Sequence, residues 1–454
     1  MRNATITLAQ AAAWCGGKVA PEFENTVFCG ANFDTRKILA GELFVAIVGA
    51  RNGHEFAQAA IDAGAAAVLA SEPLASTIPA IYVDDTIAAL QAIATGYRRS
   101  LGCKCIGITG SVGKTTTKEM IASVLTTTFK TQKTEANYNN DIGLPVTVLS
   151  LERDCEAAVL EMGMNHFGEI STLTRIAQPD IAVITNVGTM HIENLGSREG
   201  ILQAKLEILE GLQENGKVIF CGDNDLLHSV AKEHQAIQFG IQRHNDVRAV
   251  DIQMTEDTTR FTVLALGKEF EVMLPTVGEH NVLNALCAIA VALLRGVSVE
   301  NIQAGLSGFQ NTGMRQNIYS VNGIRIIADC YNAGPESMRA ALRVLSRESG
   351  RRIAVLGGML ELGDYAPQAH YEIGMESAKH ADMLFAYGEN SEHYIRGAKT
   401  LKMAYAECFE SHEALADALQ DLIRTGDTLL FKGSRGMRME RVLQLMQLQS
   451  KGEN

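Results

Sequence analysis

The sequence predicts an α/β fold of three blocks arranged around a central parallel sheet. Three observations carry that expectation. Short apolar runs alternate with helical patterns along most of the chain, a glycine-rich loop joins one such run to a helix at residues 106–116, and 454 residues exceed what one ordinary core holds.

The first block runs from Met1 to about Val83, with short strands at Leu43 to Ile47, Val68 to Ala70 and Ile81 to Val83 and an alanine-rich helix near Phe56 to Ala63. Asp85 to Arg99 reads as a linking helix with Asp85 as its N-cap. The second block opens at a strand near Cys103, and apolar runs recur at Ala157 to Leu160, Ile181 to Thr185 and Val218 to Cys221 with helical patterns between them. That order calls for a parallel sheet covered by helices. From Val247 to Leu274 the alternation becomes period-two around Leu266-Gly267-Lys268, an antiparallel addition, and a helix from Asn281 to Arg295 closes the block. The third block begins near Thr312. Asn322-Gly323 between Ile318–Val321 and Ile324–Ala328 is the type I′ hairpin signal, and strands at Ile353–Leu356, Leu384–Tyr387 and Leu429–Lys432 point to a second α/β unit.

Composition narrows the function. A formal net charge of −12 argues against broad nucleic-acid or anionic-membrane binding, which needs a basic face. The residues from Met1 to Thr5 carry no apolar run of a signal peptide, and the longest apolar stretch, Leu283 to Leu294, is too short to span a bilayer. Nine cysteines without paired metal spacing fit free thiols in a reducing cytoplasm.

Ile106-Gly107-Ile108-Thr109-Gly110-Ser111-Val112-Gly113-Lys114-Thr115-Thr116 reads as strand, loop and helix start. Its glycines let successive N–H groups face one phosphate, and the helix N-terminus adds its positive end. Lys114 supplies a point charge and the Thr115 hydroxyl a Mg²⁺ ligand. The usual P-loop has a glycine where Ile108 stands, so the loop is Thr-Gly-x-x-Gly-Lys-Thr.

Other positions carry a functional and a plain reading side by side. Glu161 ends an apolar strand, where a carboxylate beside a P-loop suits Mg²⁺; an ordinary strand-end acid looks the same. His191, in Asn186-Val187-Gly188-Thr189-Met190-His191, suits a second metal as a neutral imidazole. Lys205 on its own residues is a helix lysine that snorkels to water; buried, it would tend toward a neutral amine able to add CO₂. Asn137, Asn139 and Asn140 offer amides to a substrate or shape a turn. His280 and Asn284 lie one helical turn apart and suit a base or ribose, or else Asn281 caps a helix beside a satisfied histidine. Arg36, Arg315 and the Lys432-Gly433-Ser434-Arg435 run are fit for carboxylate or phosphate and equally ordinary as surface charge.

Taken together and in order, these segments resemble the Mur ligase family, ATP-dependent amide-forming enzymes of peptidoglycan synthesis, over nearly the whole chain. Thr109 to Thr116 matches the family loop, missing glycine included, and Glu161, Asn186 to His191, Lys205, His280-Asn281-x-x-Asn284 and Arg315 follow in family order. Asn137-x-Asn139-Asn140-x-Ile142-Gly143-x-Pro145, Asp329 to Met338, and Met359-Leu360-Glu361-Leu362-Gly363 with His370-x-x-x-Gly374 are most similar to the branch that adds D-alanyl-D-alanine to UDP-N-acetylmuramoyl-tripeptide. Asp34-Thr35-Arg36 with Gly53-His54-x-Phe56 resembles that branch's UDP-sugar domain. The chain departs from the branch pattern where Thr35 replaces a serine, Gly334 an asparagine and Gly358 an aspartate.

The resemblance implies a UDP-sugar domain over 1–84, a P-loop ATP domain over 85–311 and a Rossmann-like acceptor domain over 312–454. It implies an acyl-phosphate route with Lys114, Lys205 and His191 as catalytic residues. ATP would meet Thr109, Gly110, Ser111, Val112, Gly113, Lys114, Thr115, Thr116, His280, Asn281, Asn284 and Arg315. Two Mg²⁺ ions would be held by Thr115, Glu161, His191 and a carbamylated Lys205. The UDP-sugar would meet Thr35, Arg36, His54, Asn137, Asn139 and Asn140, and the acceptor Tyr331, Asn332 and Glu336. A cytoplasmic monomer without nucleic-acid or membrane partners is expected. The alternatives are a folylpolyglutamate synthase, which lacks a separate UDP domain, and a P-loop switch that binds nucleotide without joining substrates.

Overall fold

The computed structural model describes residues 5–311 and 313–449; Thr312, expected to open the third block, and residues 1–4, expected to carry no apolar leader, lie outside the described residues. Three main sheets follow one another along the chain. The first has five strands in the order 18–19, 80–82, 67–70, 43–45, 31–32, parallel except for the pair at the 18–19 edge. The strand from Leu43 ends at Val45, two residues short of expectation, because the chain doubles back and Gly53 donates its N–H to the Ile47 carbonyl at 2.9 Å.

The helix Thr86–Ser100 starts where Asp85 accepts from the N–H groups of Ile87 and Ala88. It is sewn to the following sheet by Tyr97, whose hydroxyl donates to Leu151 O at 2.7 Å, and by Arg98, whose Nε donates to Ala177 O at 2.8 Å. That sheet has nine strands in the order 268–274, 259–265, 247–254, 237–240, 217–221, 181–184, 104–109, 157–161, 131–133. The seven from 131–133 to 247–254 run parallel, and the last two return antiparallel as the change to period-two alternation foretells. Leu266 (φ 48°) and Gly267 (φ 79°) make their tight turn.

The third sheet is a six-stranded Rossmann-like layer in the order 317–321, 324–329, 428–432, 352–357, 383–387, 405–409, parallel apart from its opening hairpin. Asn322 and Gly323 both take positive φ (52° and 75°), the type I′ geometry. Helices Ala366–His380 and Ser391–Thr400 pack backbone to backbone on one face: a Cβ on Gly374 would lie 2.0 Å from Tyr394 O, and one on Gly397 2.0 Å from Tyr371 O.

Core packing divides differently from the sheets. One continuous apolar cluster runs from Ile6 through the central sheet to Phe309. The third sheet separates two clusters of its own, with Ile327, Leu356 and Leu430 facing one side and Ile326, Val355 and Phe431 the other, the period of two of a strand. Among the described residues no helix is long and apolar enough to cross a membrane.

Candidate active site

The carboxyl ends of the central strands open into a cleft of roughly 590 Å³ whose far wall is the third sheet. Thr109 ends the strand Lys104–Thr109, and the loop that follows needs its glycines. Gly110 has φ 152°, and a Cβ there would stand 1.9 Å from Thr185 Oγ1; Gly113 has φ 84°, and its Cβ would stand 2.7 Å from Asn284 Oδ1. The loop is held from the next strand end. Asn186 Oδ1 accepts from Val112 N–H at 2.9 Å, Thr185 Oγ1 donates to Val112 O at 2.7 Å, and Ser111 N–H donates to Asn186 O at 3.1 Å. The helix Lys114–Thr126 therefore presents its N-terminal N–H groups from a fixed cradle, the arrangement that takes phosphate. Lys114 Nζ donates to Gly110 O at 2.6 Å, folded back over the loop it would share with phosphate. Burial pushes the Lys114 amine below its ordinary pKa, and Glu161 opposes that push.

Glu161, 3% exposed at the end of the strand Ala157–Glu161, sits beside this cradle. Its Oε2 accepts from Thr115 Oγ1 at 2.9 Å and its Oε1 from Asn139 Nδ2 at 2.9 Å. The nearest cation is Lys118, 3.9 Å away, itself 1% exposed and bonded to Thr134 O at 2.6 Å and Glu119 at 3.1 Å. A buried carboxylate beside a threonine hydroxyl and facing a phosphate cradle fits Mg²⁺, which keeps waters and phosphate oxygens and uses one or two carboxylates. Among the described residues no three His, Cys, Asp or Glu form a protein-only cage, as that mode of binding requires none.

Lys205 is 1% exposed on the helix Arg198–Leu206, and among the described residues its amine has neither hydrogen bond nor ion pair. Burial, reinforced by the Lys114 charge, drives its pKa well below the ordinary lysine value. The snorkelling reading is thereby excluded by the structure. His191 lines the cleft and Lys205 is not among the lining residues; His191 Nδ1 stands 2.6 Å from Glu361 Oε2. That contact lacks hydrogen-bond direction, and it holds the Glu361 carboxyl below its usual range.

On the central-sheet side of the cleft, His280, Asn281 and Asn284 share the helix Glu279–Leu294. Asn281 is tied to Thr276, Val277 and Gln316, and His280 Nε2 meets Gln316 Oε1 at 2.8 Å, while burial lowers the imidazole pKa. Asn284 Oδ1 accepts from Thr117 at 3.1 Å. Across the cleft, Arg315 stacks over Tyr331 with 4.1 Å from Cζ to the ring centre. Asn332 is exposed beside the ion pair of buried Lys432 and half-buried Asp329, 2.6 Å apart, and Lys432 also donates to Asn332 O at 2.9 Å.

Several expected contacts are engaged elsewhere. Asn139, expected on the UDP-sugar, has its amide on Glu161, and Asn140 Oδ1 accepts from Gly143 N–H at 2.8 Å to start a helix. Glu336, expected on the acceptor, accepts from the N–H and Oγ1 of Thr189, both at 3.1 Å, across the domain boundary. His54 is buried, with Nδ1 2.7 Å from Asn52 Oδ1 and Nε2 accepting from Ser71 N–H at 2.9 Å, so it orders its loop and has no free nitrogen. Thr35, Arg36 and His54 do not line the cleft; Arg36 is exposed and paired with Asp34 at 2.8 Å, which holds the Asp34 carboxyl down to about 2. Lys118 and Gln316 were missed by sequence reasoning, as was the pairing of Asp329 with Lys432, although Lys432 itself was marked as fit for carboxylate or phosphate.

Family models for the Mur ligase middle domain and for the Mur ligase, glutamate ligase domain match residues 108–292 and 314–435. The chain is 43% identical over 432 residues to a UDP-N-acetylmuramoyl-tripeptide–D-alanyl-D-alanine ligase of Bacillus subtilis (strain 168), covering 93% of this chain and 94% of that one. A crystal structure of MurF from Acinetobacter baumannii matches with a TM-score of 0.91 at 33% identity, over 98% of this chain and 100% of that one. MurF ligase from Thermotoga maritima, in complex with ADP, matches with a TM-score of 0.84 at 29% identity, over 92% and 97%.

Proposed function

The chain belongs to the Mur ligase family, and on that premise we propose how its own residues divide the reaction. It is an ATP-dependent carbon–nitrogen ligase that adds D-alanyl-D-alanine to UDP-N-acetylmuramoyl-tripeptide in peptidoglycan precursor synthesis. The observation that carries the residue assignment is the shared cleft, with the Gly110–Thr116 cradle and Glu161 on one side and Tyr331, Asn332 and Lys432 on the other.

The tripeptide carboxylate attacks the γ-phosphorus of ATP, giving an acyl phosphate and ADP. The dipeptide amine then attacks the acyl carbon, phosphate departs and the amine loses a proton. The cradle N–H groups and Lys114 hold the β- and γ-phosphates in line with the carboxylate. Thr115 and Glu161 would hold one Mg²⁺, and His191 with a carbamylated Lys205 would hold a second; Mg²⁺ there would neutralise charge on the phosphate oxygens. Lys205 supports this role because its amine is buried and uncompensated: a neutral amine adds CO₂, forms an N–C bond, releases a proton and becomes an anion. His280, Asn284 and Arg315 border the nucleoside, and Tyr331 and Asn332 the acceptor.

In this reading residues 1–84 hold the UDP-sugar through Thr35 and Arg36, residues 85–311 hold ATP, and residues 312–454 hold the acceptor. The chain is read as a monomer. Nine free cysteines support a reducing cytoplasm. The test is ADP release by the purified protein. It should require both UDP-N-acetylmuramoyl-tripeptide and D-alanyl-D-alanine, and turnover with a folate or with no second substrate would overturn the reading.

A further inference from the structure

The loop Gly188–His191 follows the strand Ile181–Ile184 and is gripped from two domains. Its first part is fixed by the central domain: Gly188 N–H donates to Ser111 Oγ at 3.0 Å, and Val187 O accepts from Asn224 Nδ2 at 2.9 Å. Its second part is held from the C-terminal domain. Thr189 gives its N–H and hydroxyl to Glu336, Met190 lies against Gly334, where a Cβ would stand 2.8 Å from Met190 Cγ, and His191 Nδ1 stands 2.6 Å from Glu361 Oε2. Gly188 is required by the same grip, since a Cβ there would stand 2.7 Å from the Glu336 carboxylate carbon. His191 and Glu361 both take φ 63°, a left-handed backbone that non-glycine residues avoid, so each side of the boundary carries local strain at the point of contact.

We propose that Glu361 is a positioning residue for His191, so that docking of the C-terminal domain completes the cation site of the central domain. This rests on the reading of His191 as a cation ligand. A carboxylate facing Nδ1 favours the tautomer protonated there and leaves the Nε2 lone pair for a cation, the carboxylate–histidine–metal arrangement that orients ligand rings in many proteins. The carboxylate here comes from the other domain. By linkage, whatever strengthens cation binding through this contact strengthens docking by the same factor, and Glu336 on Thr189 fixes the register in which the two meet.

The test measures Mn²⁺, in place of Mg²⁺, bound to the full chain in the presence of ADP, by electron paramagnetic resonance. It compares the wild type with Glu361→Ala, Glu361→Gln and His191→Ala. Glu361→Ala should weaken Mn²⁺ binding about tenfold and raise the Mg²⁺ needed for half-maximal ligation by a similar factor, while kcat at saturating Mg²⁺ changes little. Glu361→Gln, whose amide oxygen still accepts from Nδ1–H, should recover most of the affinity. Small-angle scattering should show Mn²⁺ with ADP compacting the wild type more than Glu361→Ala. Unchanged Mn²⁺ affinity in Glu361→Ala beside a weakened His191→Ala overturns the positioning role alone. Unchanged affinity in His191→Ala overturns the ligand reading beneath it.

Discussion

Lys205→Met should make the protein more stable and inactive at once. Lys205 is 1% exposed, has no anionic partner among the described residues and feels the Lys114 charge, so its amine is buried without compensation. Methionine fills similar space with an apolar, flexible chain. Removing one such functional liability is worth about 1–2 kcal/mol. In a domain of this size that raises Tm by about 2–8 °C. The sign of the pH dependence follows from the lowered native pKa. Between that pKa and the unfolded value of about 10.4 the unfolded chain holds the proton and the native one does not, so wild-type stability rises with pH there. The advantage of the methionine variant should therefore be greatest at neutral pH and shrink toward pH 10. Scanning calorimetry in carbonate-free buffer at several pH values measures it, and added bicarbonate with Mg²⁺ and nucleotide should stabilise only the wild type. A variant that melts lower than wild type at neutral pH refutes the uncompensated-amine argument, and one that still ligates refutes the carbamate role of Lys205.

Lys114→Ala should abolish ligation with Tm nearly unchanged, since alanine suits the helix start; product formed at saturating ATP would contradict the phosphate assignment. Arg36→Ala should raise the UDP-sugar KM more than it lowers kcat, because Arg36 is exposed and its guanidinium is paired with Asp34 on the surface; steady-state kinetics at varied sugar nucleotide check this. Gly397→Val should cost about 2 kcal/mol or more, read by denaturant melts, because its added atoms meet Tyr371 O. Gly323→Val should cost about 1–2 kcal/mol through the left-handed backbone of the hairpin.

Local chemistry was legible in the sequence, and partnership across long separations was not. The glycine loop, the Asp85 cap and the Asn322-Gly323 turn are set by neighbours a few residues away, and each stands where its residues place it. Lys118 carries no local signal; its buried amine meets Thr134 O and Glu161, residues 16 and 43 positions further along the chain. His54 has the look of a free ligand until Ser71 closes over its Nε2. Glu361 and His191 are 170 residues apart, and only the docking of two sheets joins them. The same holds for Gln316, which ties the helix Glu279–Leu294 to the start of the third sheet.

The uninterrupted apolar cluster from Ile6 to Phe309 gives the first two sheets one shared core and so a common frame. If the sugar nucleotide is anchored at one end of that frame and the γ-phosphate at the other, their separation is fixed, and the frame acts as a calliper on the peptide stem between them. Each residue added or removed moves the reacting carboxylate by up to about 3.5 Å, against a reactive approach of about 3–3.5 Å. Stem length would then be selected by the stiffness of a hydrophobic core, with no side chain needed to count residues.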